Sequence, residues 1–206
     1  MTHYGHTNIA GPKVSSWKEG FRNFDSVEQM NKTIVATINK YVKPEDTLFF
    51  VGDWSFGGIK NIFLFQQLLN CKNIHFIYGN HDHAIETNKS ILVDNFGPAV
   101  MPHDLFVSVQ HKLELVIDGQ LFILDHFPHA QWNESHHGSI NLYGHCHSSF
   151  EPHKKGKQMD IGIDNAFKLT GEYRPFSLQE VLDIMAKIEI HKIDHHNNKT
   201  NFSKKY

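Results

Sequence analysis

The sequence predicts one domain of the α/β or α+β class, and three observations predict it. Short apolar runs end in glycine followed by aspartate, asparagine or histidine. Amphipathic segments begin with helix-capping residues, and a "DG" pair joins two strand-like runs.

Each element follows in order. "SVEQMNKTIVATINKYV" carries Val27, Met30, Ile34, Ile38 and Tyr41 on one helical face, with Ser26 and Gln29 spaced as a capping box and Pro44 barring continuation. "TLFFVGDWSFGG" is an apolar run broken at Gly52 and Asp53. The helical "IKNIFLFQQLLN" follows, and then a second run, "IHFIYGNHDH". Strand, helix, strand predicts a parallel unit that delivers "GDW" and "GNHD" to one sheet edge. "LFVSVQHKLELVIDGQLFILDHFPH" holds three strand-like runs, two of them joined at Asp118 and Gly119, and "SINLYGHCH" and "QMDIGID" add two more. "SLQEVLDIMAKI" restores helical spacing, with Ser177 and Glu180 as a second capping box. Residues 1–190 are expected to form the domain, and 191–206 a polar, frayed tail.

Composition narrows the functional classes. The 206 residues carry 20 basic and 22 acidic side chains, so no net field favours a polyanionic partner. No lysine and arginine stripe interleaved with aromatics appears, and nucleic acid is not the favoured partner. No stretch approaches the roughly 18 apolar residues of a membrane span, and the first residues lack the basic and apolar regions of a secretory signal. Cys71 and Cys146 are too few for a disulfide framework, and a reducing, cytoplasmic setting is expected. The outlying residue type is histidine, with 17 copies clustered beside glycine and aspartate.

Five segments offer metal-type ligands: His3 in "MTHYGH", Asp53 in "VGDWSFGG", Asn80 in "YGNHD", His126 in "LDHFPH", and His145 with His147 in "YGHCH". Any one such fragment is common by chance. Four of the five follow strand ends, and their joint placement gives a mixed oxygen and nitrogen donor set suited to manganese, iron or zinc. One aspartate can bridge two ions roughly 3.5 to 4 Å apart, the spacing that clamps a transferring phosphoryl group.

These motifs resemble, in order, those of the calcineurin-like metallophosphoesterases, and the resemblance runs from His3 to about Met185. The matches are Thr2-His3, Gly52-Asp53, Gly79-Asn80-His81-Asp82, His126, and Gly144-His145-Cys146-His147. The surrounding phrases are similar to a small bacterial and bacteriophage branch. The resemblance implies a two-layer β-sandwich core flanked by helices and hydrolysis of a phosphate mono- or diester by metal-activated water. It assigns Asp53 as the bridge, Asn80, His126 and His145 to one ion, and His3 and His147 to a second. Manganese is expected first, with iron, zinc or nickel as alternatives. His81 would act on the phosphate or the leaving oxygen, with Asp82 orienting its ring.

The pattern departs in one place. Two positions before His3 the resemblance expects an aspartate at the end of a first strand, and this sequence has Met1. One firmly held ion, a second weak or absent, and a missing first strand are therefore expected. Two alternatives stand beside the esterase: a catalytically impaired relative acting as an interaction module, and a nuclease. Arg22 and His129 are candidate substrate contacts, although Arg22 serves equally well as a tie between two chain segments through a buried carboxylate. For Arg174 a structural role is expected, and for Trp17, Trp54 and Trp132 packing ahead of stacking on a base.

Overall fold

In this computed structural model, residues 1–87 and 102–192 are described. The elements in chain order are α1 (Thr7–Ala10), α2 (Val27–Tyr41), β1 (Leu48–Val51), α3 (Ile59–Leu68), β2 (Ile74–Ile77), α4 (His83–Glu86), β3 (Ser108–Gln110), β4 (Lys112–Ile117), β5 (Gln120–Asp125), β6 (Ile140–Tyr143), β7 (Gln158–Asp160), α5 (Ile163–Thr170) and α6 (Leu178–Met185). They build an α/β architecture of two sheets flanked by helices. One sheet runs β1-β2-β3 and is parallel throughout; the other runs β4-β5-β6-β7, with only the β4/β5 hairpin antiparallel.

The period of two along β1 explains the layering. Leu48 and Phe50 face a core shared with Met30, Ile34 and Ile38 of α2 and with Ile62 and Phe65 of α3. Phe49 and Val51 point the other way, toward Phe122 and Leu124 of β5, Leu142 of β6, and Val181 and Met185 of α6. A strand apolar on both faces is what a sheet covered on both sides requires.

The local signals act much as the sequence suggests. Ser26 accepts from the Gln29 amide, while the Gln29 side chain accepts from Asp25 rather than closing the box on Ser26. Ser177 and Glu180 do form a reciprocal capping box. Asp118 and Gly119 both take positive φ, 50° and 81°, as a two-residue hairpin requires. Tyr41, expected on the buried face of α2, is 41% exposed because the helix ends there and its ring turns to Glu172. Trp54 and Trp132 are buried in packing roles, whereas Trp17, expected to pack as well, is 44% exposed with its ring edge-on to that of His6. Of "QMDIGID", expected as a strand, only Gln158–Asp160 is one; Ile163 and Asp164 open helix α5, for which the sequence carries no side-chain cap. The expected tail lies almost wholly outside the described residues.

Since β1 ends its sheet, its outer edge has no strand partner among the described residues. An apolar groove of about 430 Å³ lies beside it, lined among others by Phe49, Leu115, Leu124, Leu142 and Phe176. The strand that the resemblance anticipates is not among the described residues.

Candidate metal centre

Parallel pairing brings the carboxyl ends of four strands to one place. β1 leads into Gly52 and Asp53, β2 into Gly79 and Asn80, β5 into His126, and β6 into Gly144 and His145. Residues 1–4 join them: the amides of Thr2 and His3 both donate to the Asp53 carbonyl, and Tyr4 bridges to Ser55. Gly52, at φ 79°, allows this convergence, because a Cβ there would stand 2.4 Å from Nδ1 of His126.

Asp53, His126 and His145 offer ligand atoms that all lie within 4.8 Å of one another, an arrangement able to chelate one divalent ion. Asn80 completes the group, its Oδ1 lying 2.9 Å from Nε2 of His126 and 3.0 Å from Nδ1 of His145. The donor chemistry calls for a cation. His126 Nδ1 lies 2.9 Å from the Val51 carbonyl, an oxygen that can only accept, so this nitrogen carries the proton. Burial lowers the pKa of His126, against the pull of Asp53, and so favours the neutral ring. Its bare Nε2 then faces two oxygens, Asn80 Oδ1 at 2.9 Å and Asp53 Oδ2 at 3.5 Å, with no hydrogen among them. Lone pairs converging in this way repel one another unless a positive ion sits between them.

A second half-site lies across Asp53. His3 Nε2 is 3.5 Å from the same Asp53 Oδ2 and 3.1 Å from Nε2 of His147. Burial, together with His147 and Arg22, holds His3 well below the usual imidazole range. Its buried Nδ1 has no hydrogen-bond partner among the described residues. On the side where the resemblance places an aspartate lies buried Met1, whose sulfur sits 2.6 Å from the His145 amide nitrogen. This half-site has two imidazoles and a shared carboxylate oxygen, one carboxylate fewer than the resemblance implies.

The other candidates sort themselves by their partners. His81 is exposed beside the cluster; its amide donates to Asp53 Oδ1, and its ring lies against Phe56 and 6.2 Å from that of His3. Asp82 does not orient that ring. Its Oδ2 accepts from the Asp53 and Gly79 amides and its Oδ1 from Trp54, so it knits the two ligand loops together. Burial pushes Asp82 up to about 7 even against those amides. His129 pairs with Asp125 at 3.0 Å. Arg22 is buried, with two bonds to Asp164 at 2.7 and 2.9 Å and a third to the Thr2 carbonyl at 2.8 Å, which is the tie between segments rather than a free grip on phosphate. Asp164 in turn meets Nδ1 of His147 at 2.7 Å. No local pattern in the sequence marks Asp164, whose partners lie 142 and 17 positions away.

Comparison with known proteins leaves the chemistry open. No family profile matches the chain. It is 27% identical over 195 residues to an uncharacterized protein of Methanocaldococcus jannaschii, covering 90% of this chain and 88% of that one. It is also 27% identical over 161 residues to the gene 66 protein of Mycobacterium phage L5, covering 68% and 76%. A crystal structure of an Aquifex aeolicus protein of unknown function shares the fold, with a TM-score of 0.58 and 19% identity over 89% of this chain and 95% of that one. The chain is thus an α/β protein with an Asp/His cluster, buried at Asp53 and His126 and open at His145, able to hold a divalent ion. Among the described residues no helix is long and apolar enough to cross a membrane.

Proposed function

We propose that this protein is a metal-dependent hydrolase of phosphate esters, the activity implied by its resemblance to the calcineurin-like metallophosphoesterases, with residues 1–190 as the working domain. One observation carries the reading. Asp53 Oδ2 stands 3.5 Å from His126 Nε2 on one side and 3.5 Å from His3 Nε2 on the other, the position a bridging oxygen needs. Asn80, His126 and His145 would hold the first ion, and His3 and His147 the second.

Ions bound there would supply Lewis acidity, withdrawing charge from a phosphoryl oxygen and making water a nucleophile near neutral pH. The rest is work for the chain. Asp53 and Asn80 fix the spacing of the imidazoles, and Asp82 ties the two loops that carry them. His81, exposed beside the cluster, would meet the leaving oxygen and stabilise or protonate it as charge develops. Phe56, stacked on His3 and tilted against His81, backs that side of the site.

Manganese is the metal to test first, since the donors are carboxylate, carboxamide and imidazole with no thiolate. The deciding experiment is hydrolysis of an aryl phosphodiester, an aryl phosphomonoester and single-stranded DNA with manganese, beside the chelated protein. Metal-dependent release of phenolate from either aryl ester supports the reading, and cleavage of DNA alone favours the nuclease. Firm binding of manganese without turnover of any of the three favours the impaired relative acting as an interaction module, a reading to which Met1 in place of a carboxylate lends weight.

A further inference from the structure

The two imidazoles of the second half-site come from distant parts of the chain, His3 from its first residues and His147 from the turn after β6. Neither segment is a regular element, and both residues sit at positive φ, 53° and 46°. Something outside them must hold the pair in place. Arg22 touches both sides: its Nη1 donates to the Thr2 carbonyl, directly before His3, and its Nε and Nη2 grip both oxygens of Asp164. Asp164 Oδ2 also meets Nδ1 of His147 at 2.7 Å.

We propose that Arg22 and Asp164 are positioning residues that assemble the second half-site. Asp164 keeps the His147 proton on Nδ1 and leaves Nε2 bare for a ligand, while Arg22 fixes Asp164 and the approach of His3 in one grip. The direction of the proton follows from the partners. A carboxylate already gripped by a guanidinium accepts and does not donate, so the hydrogen between Asp164 and His147 belongs to the imidazole. That assigns the tautomer, and with it the only nitrogen of His147 left free to face His3. Partners that orient ligating imidazoles in this way typically change metal affinity about 10- to 100-fold when removed. The bidentate fork is also specific to arginine: a lysine supplies charge at one point and cannot hold Asp164 and Thr2 together.

The inference rests on the two-ion reading above, and the experiment separates the two. Ring-nitrogen NMR on the metal-free protein reads the tautomer of His147, and competition with a chelator reads the affinity of each manganese ion. In the unaltered protein His147 should carry its proton on Nδ1. In Asp164→Asn, whose amide can donate to Nδ1, the proton should move to Nε2. The second ion should then weaken about 10- to 100-fold while the first, at Asp53, His126 and His145, holds within about threefold. Arg22→Lys, chosen because deletion of so buried a group invites misfolding, should weaken the second ion about tenfold with the first unmoved. A proton on Nε2 of the unaltered protein overturns the proposal without any variant. A second ion bound as tightly by Asp164→Asn as by its parent overturns the clamp and leaves the two-ion reading standing. A single ion in the unaltered protein overturns both.

Discussion

Gly79 lies directly against Asp53: a Cβ on Gly79 would stand 2.5 Å from both the Asp53 amide nitrogen and its Oδ1. Neither atom can yield cheaply, one being backbone and the other part of the carboxylate that joins the two half-sites. Gly79→Ala should therefore push Asp53 from its place, lower stability by about 1–3 kcal/mol, and weaken manganese binding at least tenfold, roughly 1.4 kcal/mol. Urea denaturation in chelator and metal titration check the two effects. Unchanged affinity would mean that the Asp53 carboxylate is not a ligand.

Asp53→Asn should cost more metal than His81→Ala. The aspartate offers its charge to both half-sites, whereas the His81 ring lies outside the cluster. Metal analysis after dialysis should find Asp53→Asn depleted and His81→Ala filled like its parent, while turnover in His81→Ala falls about 10²- to 10⁴-fold. Equal metal content in Asp53→Asn and its parent would remove the bridging role.

The clamp on α6 gives a pH test away from the metal centre. Hydrogen bonds from Arg174, working against desolvation and helped by those from Ser177, lower Glu180 from 4.5 to about 2. A carboxylate lowered in the fold adds stability above its unfolded value and loses it as pH falls through the folded one. Glu180→Gln should therefore cost about 1 kcal/mol at pH 7, a figure kept low because the side chain is over a third exposed. The gap to the parent should close between pH 4.5 and about 2 in parallel denaturant titrations. A gap that stays constant across this range would refute the ion-pair contribution.

What the sequence made legible was periodic or short in reach. The α2 face, the hairpin at Asp118 and Gly119, and the α6 box each depend on residues within a few positions of one another, and their side chains announce them. The gathering of Asp53, Asn80, His126 and His145 was visible because each follows an apolar run, and strand ends share an edge. Asp164 was hidden for the opposite reason. Its partners, Arg22 and His147, are 142 and 17 positions away, and α5 opens after Gly162 without a side-chain cap to mark its start. Asp82 misled because adjacency to His81 suggested a ring partner, while the fold spends both its oxygens on backbone amides.

His145 offers a test of backbone tension. It is exposed and sits at φ 61°, a conformation that glycine adopts freely and alanine does not. In chelator, His145→Gly should melt no earlier than the parent, and His145→Ala should be less stable than His145→Gly by about 1 kcal/mol. Both should bind the first ion at least tenfold more weakly. A glycine variant that unfolds well before the alanine one would show that the turn carries no tension.

That tension is not confined to one residue. His3, Asp53, His145 and His147 all hold positive φ, so four of the six side chains placed around the two half-sites stand on backbone that a folding-only sequence would give to glycine or asparagine. Each such position costs on the order of 1 kcal/mol, and relief lies a few base changes away. A lineage with no use for the centre would drift toward those cheaper residues and become sturdier as it did so. Glycine at any of these four places should therefore leave the metal-free chain no less stable while removing a side chain that could hold an ion.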